Sequence, residues 1–378
     1  MDENNTESTQ VTVSEPLKHG EGSNAFVSYL VTSTKQVRRR FQDFVTLHRW
    51  FCETHPQCII PPLPGKHRME YVTGDRFSED FLEKRRLSLQ CFIDRIRRHQ
   101  ILSNSDVFHK FLTVDQMAFV DTSVKKENGF VFDTIGNQMS EVLVNAFAKV
   151  KIPDDKFVQL RDQIDKFETN IANIEKLHSK LYKLQSDMGV EYEMFGGSIE
   201  SLSAMETESK EDLLHFGTQV KQYAKNFKEK SLNENLTYVN GLHDYVSYCQ
   251  AAKDTLKLRD QKQIDHEELN RFLASNTMDR DRAMATGKSP GISGFFKDKI
   301  NDLKGVDPEK TRQDRLGKLN TKIEELQAAV TSSEDTSREF SIQVTHEIEF
   351  FNQIKLIDFK ELFQNYTNTQ VEFHQNVS

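Results

Sequence analysis

The chain has 378 residues, of which 37% are hydrophobic and 29% are charged, and its formal net charge is −8. This length accommodates two or three domains with cores of their own. The mean hydropathy is −0.64, and no apolar run approaches the roughly 18 residues of a spanning helix, so the composition favours a soluble, helix-rich protein over a membrane-spanning one.

The cysteines and the first residues indicate the compartment. Four cysteines lack the paired spacing of a disulfide framework, which suits a reducing compartment. The opening MDENNTESTQ is acidic and polar, so it is typical of neither a secretory signal nor a transit peptide. We therefore expect a cytosolic protein whose residues 1–9 are disordered.

Charge is unevenly distributed along the chain. From Lys35 to Arg98, 14 lysine and arginine residues stand against 8 acidic residues, which gives this span a net charge of +6. A local basic face on an acidic protein favours a directed surface contact over general polyanion binding. A nucleic-acid binder would be basic over a whole domain, so we expect no nucleic-acid partner.

The N-terminal third contains an ordered series of basic and aromatic elements. After a predicted first strand, VTVSEPLKHG, come VRRRFQDFVTLHRWF (Val37–Phe51), the loop IIPPLPGK (Ile59–Lys66), and the predicted helix EKRRLSLQCF (Glu83–Phe92); VFHKFL would be a last helix. Arginine suits a phosphomonoester, because the planar guanidinium offers paired donors and stays charged. A neighbouring aromatic ring can lie against the apolar face of a sugar ring.

These elements resemble the phox-homology (PX) domain over residues 10–115, which implies a small α+β fold that binds phosphoinositides. The resemblance implies that Arg40 binds the 3-phosphate, that Phe41 stacks under the inositol ring, that Lys66 reaches the 1-phosphate and that Arg85 holds the remote ring hydroxyls. The family more often has Tyr at the position of Phe41, but stacking needs only the ring. Residues Arg38–Arg39 receive no such role, since the outward faces of strands often carry solvated arginines.

In the same family, the loop after the lysine dips into the lipid interface. Here that loop is GKHRMEYVTGD, and its apolar side chains Met69, Tyr71 and Val72 are the candidates for membrane insertion. Tyr71 is the best of them, because an amphipathic ring prefers that depth. For Met69, packing back onto the domain is the competing interpretation.

Residues 116–138 lose periodicity and gain polar side chains, which is typical of a linker. Residues 139–153 follow as an amphipathic helix, with apolar side chains on one face from Val142 to Val150. Such a helix either enters the membrane as a wedge or docks on protein as a brace.

From residue 154 onward, apolar residues recur at spacings of three and four, as in a coiled-coil seam. The predicted helices run from Asp154 to about Met188, from near Ile199 to about Asn276, and from near Arg312 to Tyr366. The first seam consists of Phe157, Leu160, Ile164, Phe167, Ile171, Ile174, Leu181 and Leu184. Three such helices predict an all-α, elongated, antiparallel bundle whose stripes need a second copy or a homologue to cover them.

This region, residues 154–378, resembles the BAR domain, a dimer that binds curved membranes. The order PX then BAR is similar to the PX-BAR sorting nexins, and most like the autophagy-linked fungal sorting nexin four type. The resemblance implies binding of phosphatidylinositol 3-phosphate membranes, shaping of endosomal tubules, retrieval of membrane cargo proteins and a part in selective autophagy. It also implies a homodimer, or a heterodimer with another BAR-type sorting nexin, located in the cytosol, on the endosome membrane and at autophagosome assembly sites. In the family the last helix usually runs further, so the helix tip is expected to be incomplete here.

Between the second and third long helices lies GISGFFKDKINDLKG, residues 291–305, with Phe296, Ile300 and Leu303 on one face and Phe295 beside them. It lacks the cationic face of strong surface helices. We therefore expect docking on protein, with membrane insertion as the alternative.

Other sites have weaker support. His48, Cys52, His55 and Cys58 have spacings that superficially suit zinc, but no second ligand pair closes the set, so we expect no metal. No P-loop or nucleophile elbow is present, and we expect neither an enzyme nor a cofactor. A cytosolic coiled-coil scaffold, whose PX-like module binds protein through the prolines of residues 61–64, is the alternative from a different class.

Overall fold

The computed structural model describes residues 10–21, 25–65, 77–115, 154–286 and 308–377. Lys66, Met69, Tyr71 and Val72 lie outside the described residues, as do the predicted segments 139–151 and 291–305. None of the described helices is long and apolar enough to cross a membrane.

The N-terminal domain is built on a three-stranded antiparallel sheet in the order β1-β2-β3. The strands are β1 (Thr12–His19), β2 (Phe26–Thr32) and β3 (Gln36–Arg40). The β1–β2 register shifts between Ser14 and Leu17, where Glu15 has a φ of +46°. A bulge of this kind accommodates Pro16 on an edge strand.

Four helices complete this domain: α1 (Phe41–Thr54), α2 (Glu79–Arg98), α3 (Gln100–Ser103) and α4 (Asp106–Thr113). Ser78 and Ser105 cap α2 and α4 by accepting hydrogen bonds from backbone N–H groups of the first turn. The core between sheet and helices contains fully buried aromatic side chains, among them Tyr29, Phe44, Phe51, Phe92 and Phe111. The predicted α+β fold is confirmed.

The rest of the described chain is helical, in three long runs as predicted. They are α5 (Asp155–Ser203); α6 (Lys210–Glu234), which continues through a π-helical turn (Asn235–Val239) into α7 (Asn240–Thr286); and α8 (Pro308–Val377). The described residues divide between two compact units: those within 1–124, 159–254 and 348–378 form one unit, and those within 125–158 and 255–347 form the other.

The prediction that the second run begins near Ile199 was wrong, because α5 continues to Ser203. The glycines of this stretch allow two helices to approach closely instead of ending one. A Cβ on Gly196 would lie 2.8 Å from the carbonyl oxygen of Gly217, and a Cβ on Gly217 would lie 2.9 Å from that of Gly196. Such distances exclude any side chain at either position without a backbone shift.

Only half of the predicted seam on α5 is covered within the chain. Ile164 and Ile171 are buried. From Ile174 onward the seam residues are exposed, and Leu184 is 57% exposed. The apolar neighbours Leu177, which is 67% exposed, and Met188 are exposed as well. The exposed residues keep the alternating spacing of three and four, so they form a second apolar stripe on the same helix.

In the second unit, α7 and α8 pack through a small cluster of Leu269, Leu326 and Ala329. Near the start of α5, Arg259 lies over the ring of Phe157 at 4.0 Å and donates to the hydroxyl of Ser341.

Candidate functional site

The three consecutive arginines at the end of β3 occupy different environments because a strand alternates its side chains between two faces. Arg38 and Arg40 face outward, while Arg39 points into the domain opposite Tyr29. Arg38 donates to the backbone oxygen and carboxylate of Glu15. The expectation that Arg39 is a solvated arginine is therefore wrong.

Arg39 is a structural residue. It is 1% exposed, and its guanidinium donates to backbone oxygens at the C-terminal end of α4, including those of Phe111 at 2.7 and 2.9 Å and of Val114. The last carbonyls of a helix lack intrahelical partners, and a cation there satisfies them. Arg39 thus joins the sheet to α4.

The Arg39→Ala substitution is expected to lower the free energy of unfolding by about 3 kcal/mol or more, because it leaves buried carbonyls without donors. Thermal unfolding of the full chain measures this. Arg38→Ala serves as the matched control, since an exposed ion pair contributes at most about 1 kcal/mol. Equal melting temperatures for the two variants would contradict the structural role of Arg39.

Arg40 ends β3 on the exposed side. Its backbone N–H donates to the carboxylate of Asp43 at 2.7 Å, which fixes the start of α1. Its guanidinium lies 3.6 Å from the ring centroid of Phe26, and that ring stacks on His19. The cation is therefore held against an aromatic surface, with its donors toward solvent.

Arg85 and Phe41 are in direct contact, as the predicted pocket requires. The guanidinium carbon of Arg85 lies 4.6 Å from the ring centroid of Phe41 and 4.3 Å from that of Phe81. Arg85 is 8% exposed, so it lies within the packed interior and also contributes to the fold. The rings of Phe41 and Phe81 thus contact a largely desolvated guanidinium. Phe41 directly follows Arg40 in the sequence, which brings the two arginines to the same part of the domain.

Three of the four predicted headgroup residues are therefore described, and two of them touch. The prolines that precede Lys66 are described as far as Gly65, with Pro61 and Pro64 buried. Sequence reasoning missed the aromatic residues Phe26 and Phe81. Their signal was positional: Phe26 pairs with His19 at the turn end of the β1–β2 hairpin, and Phe81 precedes Arg85 by one helical turn.

The four residues with zinc-like spacing do not form a cluster of potential ligands among the described residues. Sγ of Cys52 lies 3.6 Å from Nδ1 of His48, whereas His55 is paired with the hydroxyl of Thr54. Burial raises the pKa of the Cys52 thiol to about 11. A thiol that resists ionisation is a poor metal ligand.

The helix that carries Arg85 also packs on the helical region of the same unit. Near its end, Arg95 is buried, donates to the carboxylate of Asp358 at 2.9 Å and lies over the rings of Tyr245 and Tyr248. Arg98 donates to the other oxygen of Asp358, also at 2.9 Å. Sequence periodicity gave no sign of this contact, which joins residues 263 positions apart.

A second contact lies one turn after Arg85. Nδ2 of Asn240 donates to Oγ of Ser88 at 3.0 Å and to the backbone oxygen of Lys84 at 3.4 Å. Ser88 also bonds the Asp244 carboxyl; burial raises the pKa of that carboxyl, and this hydrogen bond opposes the rise. The two contacts hold α2 at its middle and near its C-terminal end.

His243 precedes Asp244 and makes the stability of this unit depend on pH. Its Nδ1 lies 2.9 Å from the carboxylate of Glu175; this hydrogen bond raises the pKa of His243 against the effect of burial, Asp244 assists it and Lys84 opposes it. A raised pKa in the folded state adds stability below the unfolded-state value near 6.5, and that stability is lost as the pH rises through the folded value.

The Glu175→Gln variant is accordingly expected to unfold at a lower temperature than the unsubstituted protein at pH 6 and to converge with it at pH 8.5. Thermal unfolding across this pH range is the measurement. A difference that stays constant with pH would contradict the assignment to His243.

Comparison with known proteins gives consistent matches along the chain. A PX domain family model matches residues 29–115, and a family model described as Vps5 C terminal like matches residues 132–304. Sorting nexin-4 of Cryptococcus neoformans (strain JEC21) is 33% identical over 97% of this chain and 78% of its own length. Sorting nexin-4 of Neurospora crassa is 33% identical over 100% of this chain and 84% of its own length.

Among solved structures, the SNX-BAR Mvp1 tetramer determined by cryo-electron microscopy contains a chain of similar fold. The TM-score is 0.54 at 19% sequence identity, over 97% of this chain and 99% of that chain. This similarity supports the fold class, a PX domain followed by a helical BAR region. By the family models and the relatives together, the chain belongs to the PX-BAR sorting nexins, a family of membrane-associated trafficking proteins, and within it to the sorting nexin-4 type.

Proposed function

We propose that this protein recognises phosphatidylinositol 3-phosphate on the cytosolic face of endosomes through Arg40, Phe41, Lys66 and Arg85. The observation that carries the proposal is the contact of the buried guanidinium of Arg85 with the rings of Phe41 and Phe81. Desolvated, pre-oriented guanidinium groups form strong paired hydrogen bonds with phosphate and hydroxyl oxygens. Because two rings contact this guanidinium, its position is restricted before a ligand arrives.

Each residue then has a distinct role. Arg40, at the exposed end of β3, binds the 3-phosphate, and Phe41 lies against the inositol ring. Arg85 bonds the ring hydroxyls on the far side of Phe41. Lys66, directly after the proline loop, reaches the 1-phosphate, and Tyr71, Val72 and Met69 enter the lipid interface beyond it.

Oligomerisation follows from the second stripe on α5. Exposed leucines at regular spacing are the residues that a partner helix covers in a coiled coil. A dimer, with a second copy or with another BAR-type sorting nexin, places two headgroup sites on one body. Linking two weak sites raises apparent affinity by about a hundredfold or more without new contacts, so stable binding requires both the lipid and a membrane shape that both sites can reach.

Family membership supports the cellular role. A sorting nexin with this architecture associates peripherally with endosomal membranes. Retrieval of membrane cargo in tubules, and participation in selective autophagy at autophagosome assembly sites, are the functions that we propose for it.

The scaffold alternative has less support. A proline-rich segment serves as a ligand when its rings are exposed on a polyproline helix. Here Pro61 and Pro64 are buried, so their rings already pack within the domain.

Liposome flotation of the full chain tests the proposal. Vesicles that contain phosphatidylinositol 3-phosphate are compared with vesicles that carry the same total charge as phosphatidylserine. We expect flotation with the first and little with the second at about 0.15 M salt, where unspecific attraction is screened. Equal flotation with both would refute headgroup recognition, and flotation with neither would favour the scaffold alternative.

A further inference from the structure

The two elements that deliver headgroup residues both rest on one short segment of the helical region, Asn240–Asp244. The first is the turn of α2 around Arg85, and the second is the end of the proline loop at Gly65. We infer that Asn240 and His243 are positioning residues for the headgroup site, so that the bundle holds the pocket in its binding geometry. The inference rests on the proposed function and adds residues outside the PX domain to it.

Asn240 acts on the turn that bears Arg85. Its amide bridges Ser88 and the backbone oxygen of Lys84, which lie on either side of Arg85 in the sequence. The amide is largely buried, as is Ser88, so water is a poor substitute for these hydrogen bonds. The bridge restricts the rotation of α2 about its axis at the turn whose guanidinium contacts Phe41 and Phe81.

His243 acts on the loop. A Cβ built on Gly65 would lie 3.8 Å from Nε2 of His243, so the last described residue of the loop lies close to the imidazole, immediately before Lys66. Glu175 on α5 bonds the other ring nitrogen at 2.9 Å and thereby sets the orientation of the ring. The loop therefore ends beside an imidazole whose orientation is set by residues of two helices.

The bundle helix departs from regular geometry at this place. The π-helical turn Asn235–Val239 directly precedes Asn240 and contacts α2. One extra residue in a turn rotates all following side chains by about 100° relative to a continuous α-helix. Without the π turn, Asn240 and Asp244 would face away from Ser88.

This arrangement predicts reciprocal coupling. If the bundle holds the pocket in its binding geometry, headgroup binding must stabilise the contact between α2 and the π turn by the same free energy. A residue that supports only the fold would show no such response to the ligand.

The test uses the full chain and soluble dibutanoyl phosphatidylinositol 3-phosphate, which removes effects of avidity and membrane shape. Asn240→Ala is compared with Asn226→Ala, the same substitution on α6, where the amide donates only to the backbone oxygen of Asn376 among the hydrogen bonds described. We expect Asn240→Ala to weaken headgroup binding about tenfold by calorimetry, the effect of one buried hydrogen-bonded contact, and Asn226→Ala to leave it unchanged.

Amide hydrogen exchange supplies the second readout. In the unsubstituted protein, the headgroup should slow exchange at 235–244, and Asn240→Ala should abolish this protection and speed exchange at 79–88 without ligand. Equal affinities for the two variants, or no ligand-dependent protection at 235–244, would overturn the inference while headgroup binding itself stands. If the unsubstituted protein binds no headgroup, the proposed function fails. The positioning role has its own test in that case: unchanged amide exchange at residues 79–88 in Asn240→Ala would overturn it without any ligand.

Discussion

Replacing Arg40 with alanine is expected to reduce headgroup affinity about tenfold or more, because charge-assisted hydrogen bonds contribute roughly 1.5–3 kcal/mol each. The side chain is exposed and rests on Phe26, so the melting temperature should remain close to that of the unsubstituted protein. Calorimetric titration with the soluble 3-phosphate headgroup measures the loss.

Arg85→Ala should lose at least as much affinity, since it removes both the donors and the cation that contacts Phe41 and Phe81. Arg85 is largely buried, so some loss of stability accompanies this change. Arg85→Lys separates the effects: charge is retained, but a lysine ammonium cannot stack as a planar group or offer paired donors. We expect the lysine variant to be folded and still impaired in binding.

Arg38→Ala is the matched control for both variants, because it removes an equal charge from the same strand while its guanidinium is already bonded to Glu15. It should bind the headgroup normally. If Arg38→Ala and Arg40→Ala weakened binding equally, general surface charge and not a defined pocket would account for it.

The second large effect concerns the exposed stripe of α5. Changing Leu177 and Leu184 together to Asp should convert a dimer into a monomer, because both side chains would have to be buried against a partner helix. Each is more than half exposed in the single chain, so the fold of the protomer should persist. Sedimentation at micromolar concentration, with and without the substitutions, measures the change.

Ser179 and Ser186 provide the control pair, with the same spacing on the same helix, about 200° around its axis from the leucines. Their replacement by Asp adds the same charge and should leave the dimer intact. A well-folded monomer of the unsubstituted chain would contradict the predicted dimer. A dimer that survives both leucine substitutions would contradict the assignment of its interface to this stripe.

Local patterns were sufficient to predict most elements of the fold. The alternation of apolar and polar residues in VTVSEPLKHG predicted the first strand, and the apolar spacing of three and four predicted the three helical runs. The same alternation predicts that Arg39 is buried, because Val37 faces inward and the residue two positions later shares its face. Its charge led to the wrong expectation, because a buried arginine is rare unless backbone oxygens surround it.

Other features depend on contacts that sequence spacing cannot show. Gly196 and Gly217 are local helix breakers by propensity, yet two facing glycines let α5 and α6 approach each other. The bridge from Asn240 to Ser88 spans 152 positions, and the π turn that presents Asn240 has no composition that marks it. Of the proposed headgroup site, the motif predicts Arg40, Phe41 and Arg85, whereas the contacts of Phe26 and Phe81 with the two arginines depend on the register of the sheet and the position of α2.

The most direct test of headgroup recognition compares three phosphatidylinositol monophosphates that differ only in the position of the phosphate. Vesicles with the 3-, 4- or 5-phosphate carry the same charge, so electrostatic attraction alone cannot separate them. Flotation of the full chain at about 0.15 M salt should favour the 3-phosphate by at least about tenfold, since only that isomer places its phosphate at Arg40 and its hydroxyls at Arg85. Equal binding of all three isomers would contradict the proposed site.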